Sequence, residues 1–167
     1  MNVFRNGVGK AQGLLNKMIG VLALQGDYER HSHILDLLQL QSMEIRYPDE
    51  LGMIHGLVIP GGESTTMTDL MDRNGFYKPI RKFAKDHPIL GTCAGLIMMA
   101  TSVPNSRVEP LGILNIEVDR NAYGRQVHSF TDQLPVRLDG RETQVSSTFI
   151  RAPKITRIEA GDRKSVV

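Results

Sequence analysis

The chain's single cysteine sits at the centre of Gly91-Thr92-Cys93-Ala94-Gly95. The apolar run Pro88-Ile89-Leu90 leads into it and Leu96-Ile97-Met98-Met99-Ala100 leads out. Two apolar runs joined by a glycine-framed turn predict strand, sharp turn and helix. Few folds accommodate that order of events, because the helix must lie close on the strand it has just left. The G-x-S-x-G nucleophile elbow has the same layout and lifts its reactive atom above a sheet edge. Glycine on both sides leaves room for a strained turn and for close packing of helix on strand. A lone cysteine is more often a buried packing residue. Here the glycine frame and a helix N-terminus, where backbone N–H groups favour a thiolate, point to a nucleophile.

The pattern upstream agrees with that setting. Ile19 to Leu24 reads as a buried parallel strand, followed by the polar turn Gln25-Gly26-Asp27. Tyr28 to Leu40 reads as a helix with Ile34, Leu35, Leu37, Leu38 and Leu40 on or near its buried face. Met43 to Tyr47 is a second strand stopped by Pro48, and Gly56 to Ile59 a third ending in Pro60-Gly61-Gly62. Helices over Thr65–Arg73 and Phe76–Asp86 precede the cysteine strand. This alternation predicts an α/β fold of three layers: a mostly parallel sheet with helices on both faces. Beyond the cysteine helix, Ile113–Asp119, Pro135–Leu138 and Thr143–Ile150 read as strands without helices between them, hence as mixed or antiparallel additions.

Bulk properties narrow the function. A length of 167 residues fits one domain. A single cysteine excludes an internal disulfide framework and fits a reducing, cytoplasmic setting; no Cys/His spacing suits zinc. No metal or organic cofactor is indicated, and no apolar run reaches membrane-spanning length. The net charge of +2 is concentrated at the two ends. Residues 1–17 carry Arg5, Lys10 and Lys17 and no acid, leaving the body net acidic and arguing against a nucleic-acid-binding surface. Weak periodicity before Met18 predicts that 1–17 is an extension outside the fold and 18–167 a single domain.

In open α/β sheets, ligands collect at the carboxyl ends of the strands. Gln25-Gly26, Pro60-Gly61-Gly62-Glu63-Ser64 and the Cys93 turn all fall there. The double glycine offers backbone N–H groups to a pocket, as an oxyanion hole requires. Ser64 is a natural N-cap for the helix that follows.

Two stretches, Pro60-Gly61-Gly62-Glu63-Ser64-Thr65-Thr66 and Gly91-Thr92-Cys93-Ala94-Gly95-Leu96, resemble those of class I glutamine amidotransferases, whose fold is flavodoxin-like. Three more narrow the resemblance to the PdxT/SNO family, the glutaminase subunits of pyridoxal 5′-phosphate synthase: Val21 to Gly26, Asn121 to Gln126, and Phe149-Ile150-Arg151-Ala152-Pro153. The resemblance implies that Cys93 attacks the side-chain amide of L-glutamine, and that Gly62 and Ala94 N–H groups hold the oxyanion. Gly62, Glu63, Ser64, Arg125, Ile150 and Arg151 would form the glutamine pocket, although Arg151 equally suits an ion pair or a subunit contact. It also implies a partner, a (β/α)8-barrel synthase subunit that receives the ammonia.

A cysteine nucleophile needs a base and a group to orient it. The family takes both from an H-P-E motif downstream of F-I-R-A-P. The five histidines here are His31, His33, His55, His87 and His128, and no His-x-Glu pair occurs. His31 and His33 read as a solvated or partner-facing helix surface, His55 and His87 lie at the wrong end of the sheet, and His128 is near the pocket loop. The expectation is a domain incomplete at its C-terminus, with weak or no glutaminase activity. A non-catalytic protein that docks on the synthase, or a glutaminase serving another synthase, are the competing readings.

Overall fold

Four apolar segments meet in one parallel sheet: β1 (Met18–Leu22), β2 (Gln41–Ile45), β3 (Gly56–Ile59) and β4 (Ile89–Gly91), in the order β2-β1-β3-β4. The computed structural model describes residues 16–120, 122, 130–138, 141–149 and 153–158. Helix α1 (Tyr28–Leu37) connects β1 to β2, while α2 (Ser64–Arg73) and α3 (Tyr77–Phe83) connect β3 to β4. These two connections run outward in opposite directions from the β1/β3 pair. Right-handed crossovers then place α1 on one face and α2 and α3 on the other. The chain therefore has a topological switch point at the carboxyl ends of β1 and β3, the place where such sheets bind ligands.

The core lies mainly on the face of the sheet that α2 and α3 cover. Leu22, Ile45 and Ile59 are fully buried and belong to the same cluster as Met67, Met71, Phe76, Ile80 and Met98. Each such side chain stabilises the fold by about 1.5–3 kcal/mol. Tyr77 is part of the same packing; its hydroxyl donates to Glu109 O at 2.8 Å, and burial raises its pKa.

Local details depart from the sequence pattern for identifiable reasons. Strand β2 lies two residues earlier than its apolar pattern implies, because Glu50 takes the N–H groups of Arg46 (2.6 Å) and Tyr47 (2.9 Å) for a 3₁₀ turn over Pro48–Met53. Helix α1 stops at Leu37 rather than Leu40, where Gln39 turns left-handed (φ 56°) and Leu40 N–H bonds back to Leu35 O. The buried face expected for this helix is also not what forms. Ile34, Leu37 and Leu38 are 52%, 70% and 62% exposed, and no residue of α1 is fully buried.

The second half forms separate small sheets. Helix α4 (Ala94–Met99) runs directly into β5 (Ala100–Ser102), which pairs in parallel with β6 (Leu114–Asp119). Strand β9 (Lys154–Ile158) pairs antiparallel on the other side of β6, and β7 (Phe130–Leu138) with β8 (Arg141–Phe149) makes an antiparallel hairpin. Mixed and antiparallel strands were expected here, but as extensions of the main sheet. Among the described residues they do not join it. No described helix is long and apolar enough to cross a membrane.

Candidate active site

Strand pairing brings the predicted loops together. Ile59 of β3 lies beside Gly91 of β4, and Thr92 N–H extends that ladder by donating to Ile59 O at 3.1 Å. The chain then turns sharply at Cys93, with φ 50° and ψ −107°, and α4 begins at Ala94. A non-glycine residue in that conformation stores roughly 1–3 kcal/mol and persists only where its surroundings over-determine it. Here Gly95 N–H is bonded to Thr92 O (2.9 Å) and Ile97 N–H to Cys93 O (3.2 Å). Gly95 also lies so close to β3 that a Cβ there would stand 2.0 Å from Ile59 O. The glycine frame thus does what the sequence predicts, pressing the helix onto the strand and presenting an exposed thiol. Ala94, the first helical residue, contributes an N–H group that the helix itself does not use.

Across the turn lies the loop after β3. A Cβ at Gly61 would stand 3.3 Å from Cys93 Cβ, so the two backbones are in contact range. The loop is held from the β1 side: Asp27 N–H donates to Gly61 O (3.2 Å), and the Gln25 amide brackets Glu63. Gln25 Oε1 accepts from Glu63 N–H (3.3 Å), while Gln25 Nε2 donates to Glu63 O (3.4 Å). Gly62 adopts φ 156° beneath that amide, where any side chain would strike Gln25.

Glu63, rather than Ser64, caps α2. Its carboxylate accepts from Thr65 N–H (3.2 Å), Thr66 N–H (2.7 Å), Thr66 Oγ1 (2.9 Å) and Thr65 Oγ1. Ser64 becomes a buried residue of the first turn. Burial works to raise the Glu63 pKa, but the hydroxyl of Thr65 and the other donors outweigh it and hold the carboxyl at about 2.

The structure adds two residues that the sequence reading missed. Arg120, following β6, places Nη2 3.1 Å from Glu63 Oε1 and is itself largely shielded, with its side chain 23% exposed. Its only sequence signal was its place one residue before the Asn121–Gln126 stretch. His31 faces inward instead of lying on a solvated surface: its Nε2 is 3.0 Å from Thr92 Oγ1. His33 is exposed. His55 Nδ1 accepts Met18 N–H (3.2 Å) at the start of β1, and His87 stacks on Phe83 with ring centroids 4.3 Å apart. Both are at the amino ends of the strands. Arg125, His128, Ile150 and Arg151 lie outside the described residues.

A strained cysteine on a strand-to-helix turn, in contact range of a glycine loop beside the sheet's switch point, has the layout of the nucleophile elbow found in α/β enzymes. More particularly, the chain belongs to the SNO glutamine amidotransferase family, whose model matches residues 21–167. The pyridoxal 5′-phosphate synthase subunit PdxT of Thermosipho africanus is 42% identical over 150 residues, spanning 89% of this chain and 78% of that relative. The PdxT subunit of Dehalococcoides mccartyi is 47% identical over 147 residues, spanning 86% of this chain and 74% of the relative. A solved structure of a glutamine amidotransferase superposes with a TM-score of 0.77 at 39% identity, over 86% of this chain and 76% of that one. The family and the three-layer α/β class expected from the motifs both stand.

Proposed function

We propose that this chain is a glutaminase subunit that releases ammonia from L-glutamine for a pyridoxal 5′-phosphate synthase. The Cys93 thiolate attacks the side-chain amide carbon, and the resulting oxyanion is held by the N–H groups of Gly62 and Ala94. As the oxyanion collapses the C–N bond breaks, and the nitrogen takes up the proton that the Cys93 thiol gave up on ionising and leaves as ammonia, which the synthase barrel subunit consumes. Water then cleaves the glutamyl thioester, giving glutamate and restoring the thiol.

Gly62, Glu63, Ser64, Arg125, Ile150 and Arg151 are assigned to the glutamine pocket from the family resemblance. Arg120 joins them on geometric grounds, since a guanidinium fits the α-carboxylate of a free amino acid. The reading takes residues 18–167 as one amidotransferase domain, with 1–17 outside it, acting in the cytoplasm on a small molecule and a protein partner.

The observation that carries this reading is the contact between the strained Cys93 turn and the Gly61–Glu63 loop. The test is ammonia release from glutamine, with and without the barrel subunit, for the wild type and Cys93→Ala. Release, however slow, that is lost in Cys93→Ala supports it. Release indifferent to that substitution overturns it. Binding to the barrel without any ammonia release identifies a docking protein instead of an enzyme.

A further inference from the structure

Both halves of the candidate site are held by one short segment. Asp27 and Gln25 fix the Gly61–Glu63 loop through three hydrogen bonds. One helical turn after Asp27, His31 reaches the other half, with its Nε2 3.0 Å from the Thr92 hydroxyl. Thr92 immediately precedes the strained cysteine. Its own backbone is pinned on the far side by Ile59 O and by Gly95 N–H. The same Thr92 carbonyl and hydroxyl flank the Gly61 Cα, at 3.6 and 3.9 Å from where a Cβ would stand.

We propose that His31 is a positioning residue for the nucleophile. Its bond to Thr92 ties the Cys93 turn to the segment that holds the glycine loop, and so sets the separation between the sulfur and the oxyanion donors. The inference rests on reading the site as one that takes glutamine. His31 is not the base in this scheme, because its Nε2 is engaged by the threonine hydroxyl and only the hydrogen bond is required. An amide that reaches the same hydroxyl should therefore replace it.

The test labels Cys93 with a diazoketone analogue of glutamine, which needs the assembled pocket, and separately with iodoacetamide, which needs only an exposed thiol. His31→Ala and Thr92→Val should each slow labelling by the analogue about tenfold at saturation, with its half-saturating concentration and the iodoacetamide rate little changed. His31→Gln should recover the rate to within about twofold, and the double variant should be no slower than either single one. Analogue labelling unchanged in His31→Ala overturns the proposal, as does an additive double variant. A His31→Gln variant as slow as His31→Ala also overturns it, because the imidazole itself would then be required.

Hydrogen exchange separates failure of the proposal from failure of the glutamine reading. Exchange at the Thr92 and Gly95 amides should be about tenfold faster in His31→Ala, with the β1 amides unaffected. If the analogue leaves the wild type unlabelled, the glutamine reading fails and exchange alone decides on His31. Equal exchange in wild type and variant overturns the positioning role.

Discussion

At Glu63, two jobs meet in one carboxylate: it caps α2 and pairs with Arg120. Its pKa of about 2, against an ordinary 4.5, means the folded state prefers the ionised form. The resulting stabilisation is fully present above pH 4.5 and fades as the pH falls through about 2. The side chain is half exposed, so solvent screens much of the effect, and a cap-sized contribution of about 1 kcal/mol is the appropriate scale. Glu63→Ala should be less stable than wild type by that amount at pH 7, and by clearly less at pH 3, in urea titrations at both values. Equal gaps at the two pH values would refute the account. Cys93 makes the opposite trade. Its backbone conformation suits glycine alone, and the residue is exposed, so little packing is at stake. Cys93→Gly should raise stability by about 1 kcal/mol, after allowing for the extra chain entropy of glycine, while removing the nucleophile. A lowered urea midpoint for this variant would mean that the turn is not strained.

Elements show where sequence and structure part company. A glycine inside a helix normally gains about 1 kcal/mol on replacement by alanine. In α4 the sign should reverse, because the Cβ of Gly95→Ala would meet the Ile59 carbonyl at 2.0 Å. A loss of about 1–3 kcal/mol is expected from calorimetry, and a gain would contradict the close packing of α4 on β3. That glycine was legible because strand, turn and helix each leave a compositional mark. The end of α1 was not, since its left-handed residue is Gln39, a type with no special claim on that conformation. The exposed Ile34 and Leu37 of α1 mislead for a related reason: helical spacing identifies an apolar stripe, but not whether anything covers it. The cap of α2 was assigned to Ser64 by residue preference, whereas Glu63 has the reach to gather both threonines. Arg120 and His31 were hidden because each meets the site from a different part of the fold, 57 and 61 residues from its partner.

On the scale of the whole molecule, the site exists only when the switch point does. Residues 25–31 follow β1, residues 61–63 follow β3 and residues 92–94 follow β4, while Arg120 arrives from the second sheet at the end of β6. A ligand seated among them binds the folded chain and nothing in the unfolded one, so its binding energy adds to global stability. The amide-hydrolysing step need not occur for this to be measured. In Cys93→Ala, which retains the backbone donors and lacks the nucleophile, the melting temperature should climb with the logarithm of glutamine concentration. At about a hundred times the Kd the gain is about 2.7 kcal/mol, or a rise of roughly 5–10 °C for a domain of this size. Adding Arg120→Ala should lower the starting temperature through loss of the pair with Glu63, and should also flatten the climb if its guanidinium takes the glutamine carboxylate as proposed. Glutamate, which keeps the α-carboxylate and changes only the amide, should produce a smaller rise than glutamine. A melting temperature indifferent to glutamine over the whole accessible range would refute the pocket, since no arrangement of these loops could then be binding it in the folded state.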